Sequence, residues 1–347
     1  MTEGLVTKLL ELSSFSSHPR SVRMGETELC FPQLLNTSCW KPKHPLSKAV
    51  LIYSLLSFIS LLTASLNLLV IISISHFKQL HTPTNLLLLS LAVSDFFVGL
   101  LMPFLIVQTN GCWFLGDLMC VLYSGLNYLI TSTSVGTMVL ISVDRFLAIC
   151  DPLHYSTKVT VTRVSVCISL CWFCSFLYNS LILKDNFKKP GRYNSCYGEC
   201  VVVVSYKVGV VDLFLTFVGP FAVIIVTYMR VFVVAVSQAR AMRSQIKTFQ
   251  CSGTVHVKNS ELKAAKTLGV VVLTFLSCCS PFFISSLLDQ SSSAGFTSIP
   301  VESWFFYLNS CLNPMIYAFC YPWFLKSVKL IVTCKILNPG SCDISIL

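Results

Sequence analysis

Three carboxylates lie where the chain offers them little water. Asp95 sits in Leu91-Ala-Val-Ser-Asp95 and Asp212 in Val208-Gly-Val-Val-Asp212-Leu-Phe-Leu-Thr216, both inside apolar runs. Asp144 closes a third run and is followed at once by Arg145 and Phe146. An ionisable group at membrane depth costs roughly 2.5–3.5 kcal/mol on insertion scales, so Asp95 and Asp212 are functional positions by default. For Asp144-Arg145 the bland reading is a snorkelling charge pair that marks a helix end. Asp212 has no such neighbour. Lys207 is five positions away, about 140° around a helix and closer to water, hence a poor partner. A lone carboxylate at this depth is destabilising unless it faces a wet cavity or a cation, and one reading of Asp212 is a counter-ion. The other readings are a structural hydrogen bond to a neighbouring helix and a protonated bystander. Around Asp95, Ser134, Asn309, Ser310 and Asn313 supply oxygens suited to a hard cation, or else a polar network without an ion. No nucleophile–base pair or metal-protease motif stands out, which argues against an enzyme.

The elements that must hold these residues are membrane helices. The 347 residues are 54% hydrophobic and 12% charged, with mean hydropathy +0.73, whereas soluble domains carry about 25% charged residues. A spanning helix needs roughly 20 apolar residues, and seven stretches qualify, at about 48–74, 84–108, 119–147, 163–184, 203–236, 263–288 and 300–320. The 230–266 connection holds Arg230, Arg240, Arg243, Lys247, Lys258, Lys263 and Lys266 against Glu261 alone, while 289–302 has Asp289 and Glu302 and no base. The positive-inside rule therefore puts the first in the cytoplasm and the N-terminus outside. The net charge of +10 reflects this topology, and nucleic-acid binding is not needed to explain it. An odd number of spans without an internal repeat argues against a transporter.

The last span carries a further signature, Asn309-Ser-Cys-Leu-Asn-Pro-Met-Ile-Tyr-Ala-Phe-Cys-Tyr-Pro-Trp-Phe324. Pro314 frees a backbone carbonyl that polar neighbours or water must satisfy, so this helix is kinked and hydrated. The pattern resembles the seventh helix of rhodopsin-like G-protein-coupled receptors, and Tyr321-Pro322-Trp323-Phe324 resembles the trace amine-associated receptors. Asp144-Arg145-Phe146, 25 residues after Cys120 counted to the arginine, with Asp151-Pro152-Leu153 beyond it, resembles the activation motif of that class. Asn67, Trp172, Pro220 and Pro281 place one landmark on each remaining helix, so the resemblance runs from about Glu28 to Cys334. It implies an all-α membrane protein, a seven-transmembrane helix bundle over 48–321. A 1–47 extracellular segment precedes the bundle, and 322–347 forms a short amphipathic eighth helix and tail. It further implies a G-protein switch built from Asp144, Arg145, Asn313, Pro314 and Tyr317. Asp95 with Ser134, Asn309, Ser310 and Asn313 becomes a sodium pocket, and no other cofactor is implied.

At the ligand pocket the chain departs from the wider amine-receptor pattern. The acid usually found 18 residues before the switch arginine, about 27 Å along one helix face, is replaced by Asn127. An amide hydrogen-bonds an ammonium but cannot neutralise it. Asp212, eight residues before Pro220, matches the branch of the family that carries the acid on the fifth helix instead. Tyr128, Phe282, Phe283, Phe306 and Tyr307 would supply aromatic faces, each worth about 0.5–2 kcal/mol to an ammonium, or plain packing. Cys279 stands where the family has tryptophan, which enlarges the pocket floor. The resemblance implies an olfactory amine receptor of teleost fish type, in the plasma membrane of olfactory neuron cilia. It would signal through a stimulatory, olfactory-type heterotrimeric G protein to cyclic AMP. The alternative is a rhodopsin-like receptor for a non-amine small ligand.

Of 17 cysteines, six fall on the outer side, Cys30, Cys39, Cys112, Cys120, Cys196 and Cys200, and six permit 15 pairings. The resemblance implies Cys120–Cys200 and Cys39–Cys196, and leaves Cys30 and Cys112 unassigned. Asn36-Thr-Ser38 is an N-glycosylation acceptor on the outer side. Residues 1–23 read either as a gene-model extension ahead of a start at Met24 or as a genuine longer tail.

Overall fold

The computed structural model describes residues 27–42, 46–246, 269–281 and 301–346. Five long apolar helices come first: α1 Leu46–His76, α2 Pro83–Thr109, α3 Gly116–Cys150, α4 Val161–Ile182 and α5. The last of these is built from Tyr206–Leu213, a π-helical turn Phe214–Val218 and Gly219–Ile246. The described part of α6 is Gly269–Pro281. α7 spans Val301–Cys320, and α8, Pro322–Val332, leaves it at 97°. A two-stranded antiparallel hairpin, β1 Thr27–Leu29 with β2 Trp40–Pro42, lies ahead of the bundle in register Glu28↔Lys41. The protein is thus an all-α, multi-pass membrane helix bundle, and the small hairpin is an addition to the sequence reading.

The outer side chains are far more apolar than those of a water-soluble fold. Thr63, Asn67, Ser94, Thr133, Thr137, Ser142 and Asn313 are fully buried, whereas Phe58, Leu61, Phe173, Leu181, Phe232 and Val233 are more than half exposed. Polar groups share the bundle interior with an apolar core while large apolar side chains cover the outside, which is stable where lipid is the solvent.

Proline inside a helix orphans the carbonyl four residues before it. In α7 that carbonyl belongs to Ser310, and Asn67 of α1 donates to it through Nδ2 at 2.9 Å. In α2 Pro103 orphans the carbonyl of Gly99, and Ser60 of α1 donates to it at 2.8 Å. This approach needs a glycine, because a Cβ at position 99 would come within 2.7 Å of the Ala64 backbone nitrogen. One helix therefore supplies the missing donor to both proline-bearing neighbours. The sequence reading placed that task on Asn309, Ser310 and Asn313; for the Ser310 carbonyl the donor is Asn67.

At the cytoplasmic end α8 packs back on α1, with Trp323 and Phe324 buried and Ser327 Oγ donating to Ser73 Oγ at 2.8 Å. The tail after α8 folds against the turn that follows α1. Lys78 pairs with Asp343 at 3.1 Å, and Ser341 lies 2.9 Å from His76 Nε2.

Candidate functional site

The outer face is tied to the bundle by three disulfides, Cys30–Cys112, Cys39–Cys196 and Cys120–Cys200. The first joins the N-terminal segment to the α2–α3 turn, a pairing the sequence reading left open. The segment is also hydrogen-bonded along the loop before α5, with Cys39 N to Tyr197 O at 3.0 Å and Tyr197 N to Thr37 O at 2.7 Å. Gly198, at φ +101°, turns this loop so that its carbonyl accepts from Trp113 N at 2.8 Å. Asn36 is exposed in the same segment.

Below this cover the polar residues form two groups. On α3 and α7, Tyr123 hydrogen-bonds the side chains of both Asn127 and Tyr307. Tyr123 packs beside Trp113 and Phe104 at ring distances of 5.7 and 5.6 Å. Asn127 is therefore engaged by a phenol, in a group without charge. The second group lies between α4 and α5. Tyr178 OH donates to Asp212 Oδ1 at 2.9 Å, and the carboxylate is half-buried. Tyr128 of α3 stands within electrostatic range of it. Oδ2 has no hydrogen-bond partner, and no Lys, Arg or His pairs with Asp212, among the described residues. The sequence reading left Asp212 without a specific neighbour; the structure gives it one, Tyr178. Immediately after Asp212 the helix widens into the π turn, and Thr216 Oγ1 donates to the Asp212 carbonyl at 2.7 Å. π turns within α-helices occur frequently at functional sites. Phe282 and Phe283 lie outside the described residues, as does the side chain of Phe306.

Asp95 is only 1% exposed. Asn313 Nδ2 donates to its Oδ2 at 2.8 Å and Ser310 hydrogen-bonds the same carboxylate. Ser134 instead donates to Ser94 Oγ, at 2.9 Å, next to Asp95 in sequence. The side-chain oxygens of Asn67, Asn309 and Asn313 are buried and accept no hydrogen bond among the described residues. A buried carboxylate without a cationic partner among the described residues, next to the orphaned Asn313 oxygen, fits a small hard cation. Cys279 is fully buried near this carboxylate.

At the cytoplasmic end of α3 Asp144 and Arg145 are both buried. Arg145 donates to Asp144 Oδ2 from Nε at 3.0 Å and from Nη2 at 2.5 Å. Thr84 of α2 donates to the same oxygen at 3.0 Å, and Tyr155, on the short helix Pro152–Lys158, donates to Oδ1 at 2.8 Å. Burial and four donors go well beyond a snorkelling pair at a helix end. Nearby, the hydroxyls of half-buried Tyr228 and buried Tyr317 find no partner among the described residues, and Pro314 is buried one turn before Tyr317. Sequence reasoning did not single out Thr84, Tyr123, Tyr155 or Tyr178. For Tyr178 a signal existed, since a phenol inside an apolar span needs an acceptor.

The match to known proteins covers the same elements. Residues 66–317 fit the family described as 7 transmembrane receptor (rhodopsin family). The chain is 38% identical to trace amine-associated receptor 13c of Danio rerio, over 92% of this chain and 96% of that protein. It is 37% identical to trace amine-associated receptor 8a of Rattus norvegicus, over 96% and 98% of the two chains, and 37% identical to trace amine-associated receptor 1 of Homo sapiens, over 89% and 95%. With a buried acid–arginine pair closing α3, a polar core around Asp95 and near-complete coverage by these relatives, the chain belongs to the rhodopsin family of seven-transmembrane receptors and, within it, to the trace amine-associated receptors.

Proposed function

We propose that this receptor detects small amines and that the ligand ammonium pairs with Asp212 on α5. The observation that carries the reading is a half-buried carboxylate with one open oxygen and no cationic partner among the described residues. A charge-assisted hydrogen bond in such a setting is about twice as strong as a neutral one. Tyr128 and Tyr307, with Phe282, Phe283 and Phe306, line the rest of the cavity in this reading, and Asn127 contributes an uncharged polar wall. The chain then sits in the branch whose acid has moved from the third to the fifth helix, of teleost fish olfactory type. Its place is the plasma membrane of olfactory neuron cilia.

Ligand binding shifts a two-state equilibrium only by its differential affinity for the two states. The bistable element proposed here is the cytoplasmic end of α3. The inactive state holds Arg145 on Asp144, and the active state releases it to a stimulatory G protein, with cyclic AMP as the product signal. Asn313, Pro314 and Tyr317 give α7 the kink through which the two ends communicate. Asp95, with Asn309, Ser310, Asn313 and Ser134, would hold Na+ in the inactive core. Asn36 is the glycosylation site in this reading, and Cys120–Cys200 and Cys39–Cys196 hold the cover over the cavity.

Asn127, by itself, favours a receptor for a non-amine small ligand. A cyclic AMP screen of volatile and biogenic amines alongside neutral odorants, on cells with the receptor verified at the surface, separates the two. Amine responses that depend on Asp212 support the proposal. Responses to neutral compounds alone overturn it.

A further inference from the structure

A carboxylate on a flexible two-torsion side chain is a poor partner for an ammonium unless something holds it in place, because ordering it on binding costs affinity. One hydrogen bond falls on the Asp212 backbone and one on its carboxylate, and the second is what restrains the side chain. Its backbone carbonyl accepts from Thr216 at 2.7 Å, and its Oδ1 accepts from Tyr178 at 2.9 Å. Tyr178 itself stands on a fixed part of α4. The next residue, Asn179, donates to Ser132 Oγ of α3 at 3.1 Å and to the Ser175 carbonyl at 2.7 Å. Ser132 in turn donates to the Tyr128 carbonyl at 2.8 Å. A tie from α3 to α4 thus supports the phenol that reaches across to α5.

We infer that Tyr178 is the positioning residue of the ligand site: its phenol fixes the Asp212 carboxylate and leaves Oδ2 as the single oxygen that receives the ligand's N–H. The inference rests on the proposed role of Asp212. It adds that α4, which contributes none of the pocket residues named from sequence, sets the geometry of the charged contact. A phenol that merely joined two helices would contribute to folding whether or not position 212 carried a charge. A phenol that positions the carboxylate contributes to potency only while the carboxylate is there.

A double-mutant cycle tests this. Wild type, Tyr178→Phe, Asp212→Asn and the double variant are expressed at matched surface level. Cyclic AMP concentration–response curves are recorded with isopentylamine, 2-phenylethylamine and 1,5-diaminopentane. Tyr178→Phe alone is expected to weaken the most potent of these by 10-fold or more, within the roughly 10- to 150-fold scale of one lost hydrogen bond to a charged group. In the Asp212→Asn background the same change should add nothing. If Asp212→Asn weakens the response but Tyr178→Phe matches wild type, or if the two losses multiply, Tyr178 is not a positioning residue and the ammonium reading of Asp212 stands. If Asp212→Asn matches wild type, or if no amine acts on wild type, the ammonium reading fails and this inference with it. Asp212→Ser replaces Asp212→Asn in the cycle should the latter not reach the surface.

Discussion

Replacing Asp144 by asparagine keeps the side chain's size and removes the charge that organises the end of α3. In the structure this carboxylate accepts from Arg145 Nε at 3.0 Å and Nη2 at 2.5 Å, from Thr84 at 3.0 Å and from Tyr155 at 2.8 Å. The Asn amide turns one acceptor into a donor amid four donors. A hydrogen bond to a charged group contributes about 1.5–3 kcal/mol net. If the active state lacks these contacts, the equilibrium between states moves by about 10- to 150-fold. From a resting active fraction of about 1%, within the usual range for a minor state, the variant would rest at roughly 10–60% active. The assay is basal cyclic AMP without added amine, in cells with receptor number matched by surface labelling. Tyr155→Phe removes one donor of the four and should raise basal signal by less. Arg145→Ala should abolish coupling while ligand binding survives. Basal signalling by Asp144→Asn equal to wild type would refute the argument that this cluster holds the inactive state.

Other perturbations follow from the same geometry. Cys30→Ser and Cys112→Ser should lower thermal stability and surface expression alike, by about 2–4 kcal/mol, because each opens one bridge spanning 82 residues; unequal losses contradict the pairing. Asn67→Ala strands the Ser310 carbonyl and should cost about 0.6–2 kcal/mol in a thermal-shift assay in nanodiscs. Pro314→Ala in the Asn67→Ala background should recover part of that loss by restoring a backbone donor, and a further loss would refute the assignment. Asp151 is held down to about 2, from 3.8, by hydrogen bonds from Lys158 and then His154. A carboxylate depressed on folding gives stability that is present above its unfolded value and lost as pH falls through the folded one. The Pro152–Lys158 turn should therefore keep this contribution from neutral pH down to about 4 and lose it near pH 2. Carbon-13 titration of the Asp151 carboxyl checks this, Lys158→Ala should raise the midpoint, and a wild-type midpoint of 4 or above rules it out.

The spans were legible because lipid imposes a length of roughly 20 apolar residues on each helix, and a charge or proline inside such a run stands out against it. Asp95, Asp144-Arg145, Asp212 and Pro314 were all visible for that reason. What could not be read is pairing across helices. Tyr178 meets Asp212 over a separation of 34 residues, and nothing in either local sequence specifies the angle at which α4 and α5 meet. The Cys30–Cys112 bridge was one choice among 15. The hairpin of Thr27–Leu29 with Trp40–Pro42 is short and depends on being sewn to the loop before α5, a tertiary context that strand propensity does not carry. The π turn at Phe214–Val218 leaves no periodicity of its own in the sequence. Asn67 was visible as a landmark, but its task as donor to the Ser310 carbonyl emerged only when α1 and α7 were seen side by side.

The central claim is that Asp212 receives the ammonium, and its most direct measurement is agonist potency on wild type and Asp212→Asn. Both are measured at equal surface expression, with the most potent amine found for the wild type. Losing a charge-assisted contact in a partly desolvated cavity costs about 2–5 kcal/mol, so potency should fall by roughly 30- to several-thousand-fold. An unchanged concentration–response curve would contradict the claim and return Asp212 to a structural partner of Tyr178.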